Sequence, residues 1–402
     1  MAHHVVIGGG QAGASLVAKL RAQKFEGEIT LICGEGVPPY QRPPLSKAYL
    51  LGDMDEERLY LRPEKFYEEK NIRLMLGQPV TAIDPGDRKL TVGGETLVYD
   101  ELALTTGSVP RRLPAAIGGD LQGAYEVRTL TDVDGMQPAF EKGKRVLIIG
   151  GGYIGLEAAA VAAKLGLKVT LVEMADRILQ RVASPATSDY FRDLHAEHGV
   201  EIHEGVGLDR LLGDTHVTGA RLTDGSEIEL DFAIVGVGIQ PNVALAEAAG
   251  LTIADGIVVD EMGRTSDPHI WAAGDCASFP RQGQMLRLES VQNAIDQAEA
   301  VAINMMGAEA PYHPHPWFWS DQYDVKLQIA GLSTGYDRVV VRAGEGRSRS
   351  HWYYKGDRLL ALDAMNDPRA YMVGKRLIEA GKSADPEVVA DPGADLKALM
   401  TA

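Results

Sequence analysis

Two short segments place glycines at the spacing that lets a main chain wrap around a phosphate group. The first, Gly8–Gly13, follows the apolar run Val5–Ile7, and the second, Gly150–Gly155, follows Val146–Ile149. In a GxGxxG turn the first glycine allows the tight turn, the second lets a pyrophosphate reach the backbone, and the third lets a helix pack on the strand. One match is weak evidence, but two in one chain predict two dinucleotide sites. The predicted phosphate-turn glycines are Gly8, Gly10, Gly13, Gly150, Gly152 and Gly155.

An acidic residue that binds the adenosine ribose is expected about 20 residues after the last glycine of such a turn. Glu173 lies there after the second turn, and its charge favours NADH because it repels the 2′-phosphate of NADPH. Arg177 and Arg181 follow closely, and either cation could weaken that preference. Glu35 takes the corresponding place after the first turn, although aligning the two segments pairs Glu173 with Cys33.

A proline-stiffened loop, Arg42–Lys47, offers a fixed cation at Lys47. A cation beside a redox ring stabilises its electron-rich reduced form. Glu157 follows the second glycine turn directly and is a candidate partner for Lys47 across the junction of the two cofactors. From the residues alone, a surface lysine and a helical glutamate without a redox role are equally acceptable.

Further binding residues are predicted where buried strands end. Thr106 and Gly107 follow an apolar strand, Gly238 lies at a second crossover, and the pair Gly274–Asp275 closes another strand with a carboxylate suited to a sugar hydroxyl. Ser290 is a plausible N-cap, and the N-terminus of its helix would stabilise negative charge.

The elements that must position these residues form an internal duplication of a strand–turn–helix–strand unit, with the second copy inserted into the first domain. We therefore expect an α/β fold with two Rossmann-like domains and a C-terminal α+β domain. The predicted first domain covers residues 1–112 and 242–313, the second 113–241 and the third 314–402. Predicted strands of the third domain are Val325–Ile329, Val339–Val341, Trp352–Tyr354 and Leu359–Leu362.

Composition narrows the function. The 402 residues carry a net charge of −16, which argues against nucleic acid as a partner. No signal peptide and no apolar run of membrane-spanning length is visible, so we expect a cytoplasmic protein. The only cysteines, Cys33 and Cys276, are too far apart for a local redox pair, and the segment Pro39–Leu51 has neither a CxxxxC motif nor a single cysteine. This argues against dithiol and peroxide chemistry.

With these motifs in view, the chain resembles the putidaredoxin reductase-type family, whose members are FAD-containing, NADH-dependent ferredoxin reductases of bacterial oxygenase systems with the glutathione reductase fold. The resemblance spans almost the whole chain. Its specific segments are Arg42–Lys47, Gly150–Glu157, Val127–Leu130, Glu289–Val291 and Pro316–Gln322.

The resemblance implies roles for individual residues and no metal ligands. Lys47, Glu157 and Trp319 would form the redox site, with Trp319 near the flavin edge that faces the iron–sulfur partner. Arg181 and Gly238 complete the predicted NAD site. The residues implied to contact FAD are Ala12, Arg42, Lys47, Val80, Arg128, Asp275 and Val291, and those on the nicotinamide side are Tyr153, Ile154, Glu157 and Glu173.

The implied reaction passes a hydride from NADH to flavin N5 and then single electrons to a [2Fe–2S] ferredoxin that serves a cytochrome P450 or a Rieske oxygenase. Two alternatives stay open: reduction of another acceptor such as rubredoxin or a quinone, and a slow redox-sensing interaction protein. We expect a monomer or a weak homodimer. Candidate cations for a ferredoxin docking patch are Arg287, Lys326, Arg369, Lys375 and Arg376.

Overall fold

The computed structural model describes residues 1–400, and the chain divides into two compact units. The first unit comprises residues 1–42, 54–109 and 239–314, and the second comprises residues 43–53, 110–238 and those from 315 onward. The three-domain boundaries given above stay a prediction. No helix within residues 1–400 combines the length and the apolar character needed to cross a membrane.

The first unit is built on a five-stranded parallel sheet. Its strands are apolar along their length because both faces are covered. Val5 and Ile7 pack in one hydrophobic core, whereas Val6 packs in the other, against the helix that follows. In spatial order the strands are Ile270–Ala272, Glu101–Leu104, His3–Ile7, Glu28–Ile32 and Ile72–Met75.

Two helices of the first unit, Gln11–Ala22 and Val291–Asn304, pack along one another. Shorter helices and strands complete this unit. The remaining helices are Glu64–Glu69, Ala244–Ala248 and the 3-10 turn Glu56–Arg58. The remaining strands are Val80–Asp84, Lys89–Val92, Glu95–Val98, Ser108–Pro110, Ile239–Pro241, Ile257–Val258, Ala277–Arg281 and Gln284–Leu286.

The second unit repeats the parallel sheet, again with five strands. Its strand order is Glu201–Glu204, Lys168–Glu173, Arg145–Ile149, Phe232–Val235 and Ala124–Tyr125. An antiparallel sheet of Leu208–Leu212, Gly219–Leu222 and Glu227–Glu229 covers part of it. The helices are Leu130–Met136, Tyr153–Lys164 and Pro185–Glu197, with 3-10 turns at Pro43–Ser46, Ala115–Ile117 and Gln137–Ala139.

The second unit ends in an antiparallel sheet of five strands, with a helix packed on one face. Strands cover all four predicted segments and extend beyond each of them. Their order is Trp317–Gln322, Val325–Gly331, Arg358–Met365, Arg349–Lys355 and Arg338–Ala343. The helices are Pro368–Glu379, Pro386–Ala390 and the 3-10 turn Leu396–Met400.

Buried polar side chains join the helix Pro185–Glu197 to this last sheet. The Thr187 hydroxyl donates to Asp363 Oδ2 at 2.7 Å, and the Tyr353 hydroxyl donates to the same oxygen. His351 Nδ1 lies 2.7 Å from Thr187 Oγ1. Burial raises the pKa of Asp363 to about 6, although both hydroxyl donors favour its charged form.

Candidate functional site

The geometry of the first glycine turn suits a pyrophosphate. Gly8 has φ +123°, and a Cβ placed there would lie 2.2 Å from the carbonyl oxygen of Thr105. A Cβ at Gly13 would lie 2.0 Å from the carbonyl oxygen of Gly8, so strand and helix pack too closely for a side chain. At Gly10, the N-cap of helix Gln11–Ala22, an added Cβ would meet nothing within 4 Å. The open side of the turn is therefore where a phosphate needs backbone access.

The second glycine turn has the same geometry. Gly150 has φ +108°, and its Cβ would lie 2.4 Å from the carbonyl oxygen of Gly236. A Cβ at Gly155 would lie 2.2 Å from the carbonyl oxygen of Gly150, whereas one at Gly152 would meet nothing within 4 Å. Among the described residues, no N-cap side chain bonds the first N–H groups of either glycine helix, which leaves these groups available to an anionic ligand.

Small residues surround the first glycine helix. Gly274 has φ +83°, and a Cβ there would lie 3.1 Å from Cβ of Ala12 and 3.7 Å from Cβ of Ala294. The Gly274 N–H donates to Gln297 Oε1 at 2.8 Å, which fixes the strand end against the helix Val291–Asn304. The structure thus brings together Ala12 and Gly274, which were predicted from separate motifs.

The residues next to Gly274 are also held in place. The Asp275 carboxylate accepts a hydrogen bond from the Ser108 hydroxyl at 2.9 Å. Val291 is the first residue of its helix, and the preceding Ser290 caps it by accepting from the N–H of Asn293 at 3.1 Å, as the sequence predicted.

The crossover at Thr106 and Gly107 is closed by Asn242. The Thr106 hydroxyl donates to the Asn242 carbonyl at 2.6 Å, and the Asn242 N–H donates to the Gly107 carbonyl at 2.9 Å. Gly107 has φ +65°, a conformation that favours glycine. These contacts hold the chain where it leaves the parallel sheet.

Glu35 and Arg42 bind one another. The Glu35 carboxylate accepts from Arg42 Nη2 at 2.6 Å and from the Tyr40 hydroxyl at 2.6 Å. Val80 begins the strand just beyond Gly77, whose N–H donates to the Glu35 carbonyl at 2.8 Å. The Glu35 carboxylate thus lies in a polar cluster rather than alone at the strand end.

Lys47 and Glu157 form an ion pair whose carboxylate is buried and whose lysine is half-buried. Lys47 Nζ donates to Glu157 Oε2 at 2.6 Å and lies 3.3 Å from the Pro43 carbonyl oxygen. The Ser46 hydroxyl donates to the same carboxylate oxygen at 2.8 Å, and the Ser320 hydroxyl donates to Oε1 at 2.7 Å. Glu157 is only 4% exposed, so these donors replace the water that a carboxylate otherwise requires.

Ser46 and Ser320 were not singled out from the sequence. Both lie inside motifs that carry the family resemblance, next to Lys47 and Trp319. Ser320 could have been found from the alternation of side chains along a strand. Because it follows Trp319 directly, it lies on the opposite face of the strand.

The first turn of the second glycine helix carries Tyr153 and Ile154. The Tyr153 ring lies 5.0 Å from the ring of Phe318, centroid to centroid. Its hydroxyl is enclosed and has no hydrogen-bond partner within residues 1–400, and burial raises its pKa well above the ordinary value. Ile154 is exposed.

Glu173 ends its strand and binds back to the glycine turn. Its carboxylate accepts from the N–H groups of Gly151 at 2.7 Å and Ala175 at 2.8 Å. Arg177 turns inward, with Nη1 2.5 Å from Ser188 Oγ and Nη2 2.8 Å from the Ala183 carbonyl oxygen. These partners are a hydroxyl and a backbone carbonyl, so the guanidinium keeps its positive charge, and its effect on the preference for NADH stays a prediction.

Arg181 remains on the surface of the second unit. It is exposed, and its Nη2 would lie 3.7 Å from a Cβ placed at Gly238, which has φ +103°. These two predicted residues are thus neighbours. Arg128, also in the second unit, precedes the helix Leu130–Met136, and its N–H lies 3.2 Å from Asp132 Oδ2.

Trp319 is half-buried on the strand Trp317–Gln322, with its ring 5.6 Å from that of Trp317. Lys375 Nζ lies 5.2 Å from the Trp317 ring centroid, so one candidate docking cation flanks this tryptophan pair. Lys326, Arg369 and Arg376 are exposed.

Arg287, another candidate docking cation, is largely buried and forms ion pairs. Its side chain is only 12% exposed, and its guanidinium contacts Glu289 at 2.5 Å and Asp255 at 3.3 Å. Two carboxylates already pair with this cation, which makes it the least accessible of the five candidates, and its assignment to the docking patch stays a prediction.

Both cysteines are buried free thiols. Burial raises the pKa of Cys33 to about 12, with Glu35 adding to the effect, and burial also raises the pKa of Cys276. A thiol needs its thiolate form to act as a nucleophile. Neither cysteine is therefore suited to thiol chemistry at neutral pH.

Comparison with known proteins agrees with this geometry. The family model described as pyridine nucleotide-disulphide oxidoreductase matches residues 2–298, and that described as reductase C-terminal matches residues 317–400. The ferredoxin reductase subunit of 5,5′-dehydrodivanillate O-demethylase from Sphingobium sp. (strain SYK-6) is 43% identical, over 99% of this chain and 98% of its own.

Two further comparisons concern putidaredoxin reductase. The Pseudomonas putida protein is 40% identical over 99% of this chain and 96% of its own. The solved covalent complex of putidaredoxin reductase with putidaredoxin matches with a TM-score of 0.95, covering 100% of this chain and 98% of the other. The predicted fold, with one Rossmann-like domain inserted into another and a C-terminal α+β domain, is thereby confirmed. The chain belongs to the putidaredoxin reductase-like ferredoxin reductases of the pyridine nucleotide-disulphide oxidoreductase family.

Proposed function

We propose that this protein takes electrons from NADH through bound FAD and passes them singly to a [2Fe–2S] ferredoxin that serves a cytochrome P450 or a Rieske oxygenase. The observation that carries the proposal is the repeated glycine turn, open at Gly10 and again at Gly152, in a chain whose thiols are buried. Full-length similarity to ferredoxin reductases of oxygenase systems supports the acceptor.

The first glycine turn suits FAD. Its open side at Gly10 admits a pyrophosphate, and the Asp275 carboxylate offers an acceptor for a sugar hydroxyl. The Glu35–Arg42 pair and the N-terminus of the helix that begins at Val291 provide further polar contacts. When bound, FAD supplies the change from two-electron to one-electron chemistry.

The second turn suits NADH. Gly152 leaves room for its pyrophosphate, and Glu173 lies at the strand end, where the adenosine ribose binds in this fold. The Glu173 carboxylate supports a preference for NADH over NADPH, because its negative charge repels a 2′-phosphate.

In this proposal Lys47 provides positive charge beside the redox centre, and Glu157 fixes where that charge lies. The pair is held from both sides of the carboxylate by hydroxyl groups, so its geometry is set before a substrate arrives. Preorganised charge of this kind costs little rearrangement during the reaction. Trp319, beside the aromatic and cationic pair of Trp317 and Lys375, is the proposed contact for the ferredoxin.

Anaerobic stopped-flow measurements on the FAD-loaded protein test the proposal. Mixing with NADH should bleach the flavin absorbance rapidly, and a second mixing with an oxidised [2Fe–2S] ferredoxin should restore it while the ferredoxin is reduced. If the flavin stays bleached with every ferredoxin but is reoxidised by rubredoxin or a quinone, the electron acceptor is not a ferredoxin. A slow, stable complex with NADH that reduces none of them would favour a redox sensor.

A cytoplasmic location, where NADH is produced, belongs to the same proposal. So does a monomeric or weakly dimeric state, which sedimentation velocity over a range of protein concentrations would check.

A further inference from the structure

The strand Trp317–Gln322 presents different chemistry on its two faces. Its side chains alternate, so Trp317 and Trp319 lie on one face and Ser320 and Gln322 on the other. Ser320 is fully buried and Gln322 is 1% exposed, although both are polar. Buried polar groups persist where they are hydrogen-bonded, so their partners indicate what they hold in place.

Those partners form one continuous chain that begins at Glu157. Ser320 Oγ lies 2.7 Å from Glu157 Oε1, and Gln322 Nε2 lies 3.2 Å from Ser320 Oγ. Gln322 Oε1 lies 2.8 Å from His195 Nε2, and His195 Nδ1 lies 3.1 Å from the Tyr323 hydroxyl. All five residues belong to the second unit.

The donors in this chain all point toward Glu157. The carboxylate only accepts, so the single Ser320 hydrogen is directed to it, and Ser320 must accept from the Gln322 amide nitrogen. Gln322 Oε1 therefore accepts from His195, which fixes the histidine as its Nε2–H tautomer. The Tyr323 hydroxyl then donates to Nδ1. Bonds aligned in this way polarise one another.

The histidine in this chain stays neutral. His195 is fully buried, and burial lowers its pKa to about 4, with the coulombic effect of His198 acting in the same direction. Its Nδ1 is therefore available as an acceptor at neutral pH. The chain ends near the surface, where Tyr323 stacks on His198 with ring centroids 3.7 Å apart.

We propose that Ser320, Gln322 and His195 are positioning residues that hold the Glu157 carboxylate in the orientation that pairs with Lys47. This rests on the proposed function only in making Lys47 and Glu157 part of the redox site. The Ser320 hydroxyl fixes Oε1 and thereby leaves Oε2 directed at Lys47 Nζ. Gln322 and His195 act through Ser320 by removing its freedom to rotate.

Four variants of the FAD-loaded protein test this. Ser320→Ala removes the donor, Ser320→Thr keeps a hydroxyl, and Gln322→Leu removes the amide; the fourth combines Ser320→Ala with Gln322→Leu. Ser350→Ala is the matched control, because Ser350 is also fully buried, lies in the same sheet and bonds to Trp352 and Asp367 instead. Flavin retention and thermal unfolding identify any variant that has lost its fold.

The first measurement is the limiting rate constant of flavin reduction by NADH. We expect Ser320→Ala to lower it about tenfold, the scale of one hydrogen bond to a charged group, and Gln322→Leu to lower it about threefold. The apparent Kd for NADH should stay within about twofold, since Ser320 and Gln322 do not contact the second glycine turn. The double variant should match Ser320→Ala alone, because residues in one chain are not additive.

The second measurement does not depend on turnover. The antisymmetric carboxylate band of Glu157, assigned in the infrared spectrum by its loss in Glu157→Gln, should shift in Ser320→Ala and Gln322→Leu. It should remain in place in Ser320→Thr and Ser350→Ala. If wild-type flavin is not reduced by NADH, the proposed function fails while this measurement still tests the positioning chain.

Three results would overturn the inference. One is an unshifted infrared band of Glu157 in Ser320→Ala. Another is a limiting rate constant of flavin reduction in Ser320→Ala that equals that of Ser350→Ala. The third is a double variant whose loss is the product of the two single losses, because independent structural damage predicts that outcome.

Discussion

Lys47 and Glu157 are the two residues to which the proposed function assigns a direct part in the redox site. A buried ion pair contributes little net stability unless further hydrogen bonds satisfy its charges. Here the carboxylate accepts from Lys47, Ser46 and Ser320, so no second cation is needed. We therefore interpret the pair as a device that fixes the position of a charge rather than as a source of stability.

Replacing Lys47 by methionine removes that charge at nearly constant length. Less positive charge beside the redox centre should lower the flavin reduction potential and slow reduction by NADH roughly a hundredfold, within the range measured for a lost preorganised donor. Equilibrium redox titration and stopped-flow absorbance measure the two effects. Lys65→Met is the control, because Lys65 is exposed and pairs with Glu69 on its own helix. If the flavin reduction potential and the rate constant of reduction by NADH are unchanged in Lys47→Met, Lys47 has no role in the redox site.

Residues within fixed motifs were predictable, whereas residues brought in by the tertiary fold were not. Lys47, Glu157 and Glu173 occur at set distances from glycine or proline patterns, so their types and positions pointed to a site. The contact of Ser320 with Glu157 depends on how a strand packs on a distant helix, which no local pattern specifies. The inward turn of Arg177 likewise depends on Ser188 and cannot be read from its own segment.

At the scale of elements, the two glycine turns have the same geometry, and corresponding glycines have corresponding roles in each turn. In each turn two glycines lie so close to backbone that a side chain would collide with it, and a third faces open space. The strand and helix around each turn were predictable because periodicity and glycine spacing agree. The strands of the last sheet were predicted only in part, since aromatic and polar residues are mixed there without a continuous apolar run.

Alanine at Gly152 and at Gly155 separates ligand access from packing. Gly152→Ala adds a methyl group into open space, so thermal stability and FAD content should stay unchanged while the Kd for NADH rises at least about tenfold. Gly155→Ala puts the methyl 2.2 Å from a carbonyl oxygen and should also destabilise the fold by about 1–3 kcal/mol. Fluorescence titration with NADH and thermal unfolding distinguish the two. Unchanged NADH affinity in Gly152→Ala would place the pyrophosphate elsewhere.

At the scale of the whole molecule, stability should depend on pH through Asp363. Its folded pKa is about 6 against an ordinary 3.8, so between these values the folded protein holds a proton that the unfolded chain has lost. The contribution of this group to the free energy of unfolding therefore falls as pH rises from about 4 to 6.

Asp363→Asn removes this titration while keeping an acceptor for Thr187 and Tyr353. Its stability relative to wild type should rise by up to about 3 kcal/mol between pH 4 and 6. Urea unfolding at several pH values measures this difference, and Asp321→Asn, at an exposed position, is the control. A wild-type–variant difference that stays constant with pH would contradict the assignment.

The architecture was predictable because the duplicated motif implies two sheets of the same kind. Residues 43–53 pack with the second unit although they lie between two segments of the first. That arrangement follows from the pairing of Ser46 and Lys47 with Glu157, and no composition change marks it in the sequence.

The burial of both thiols has a practical consequence. Cys33 is 1% exposed and Cys276 is fully buried, and together they are all the cysteines of the chain. Maleimide probes react with accessible thiolates, which neither residue provides at neutral pH. A single cysteine introduced on the surface would therefore be labelled selectively, so fluorophores or spin labels can be attached for distance measurements without first replacing native residues.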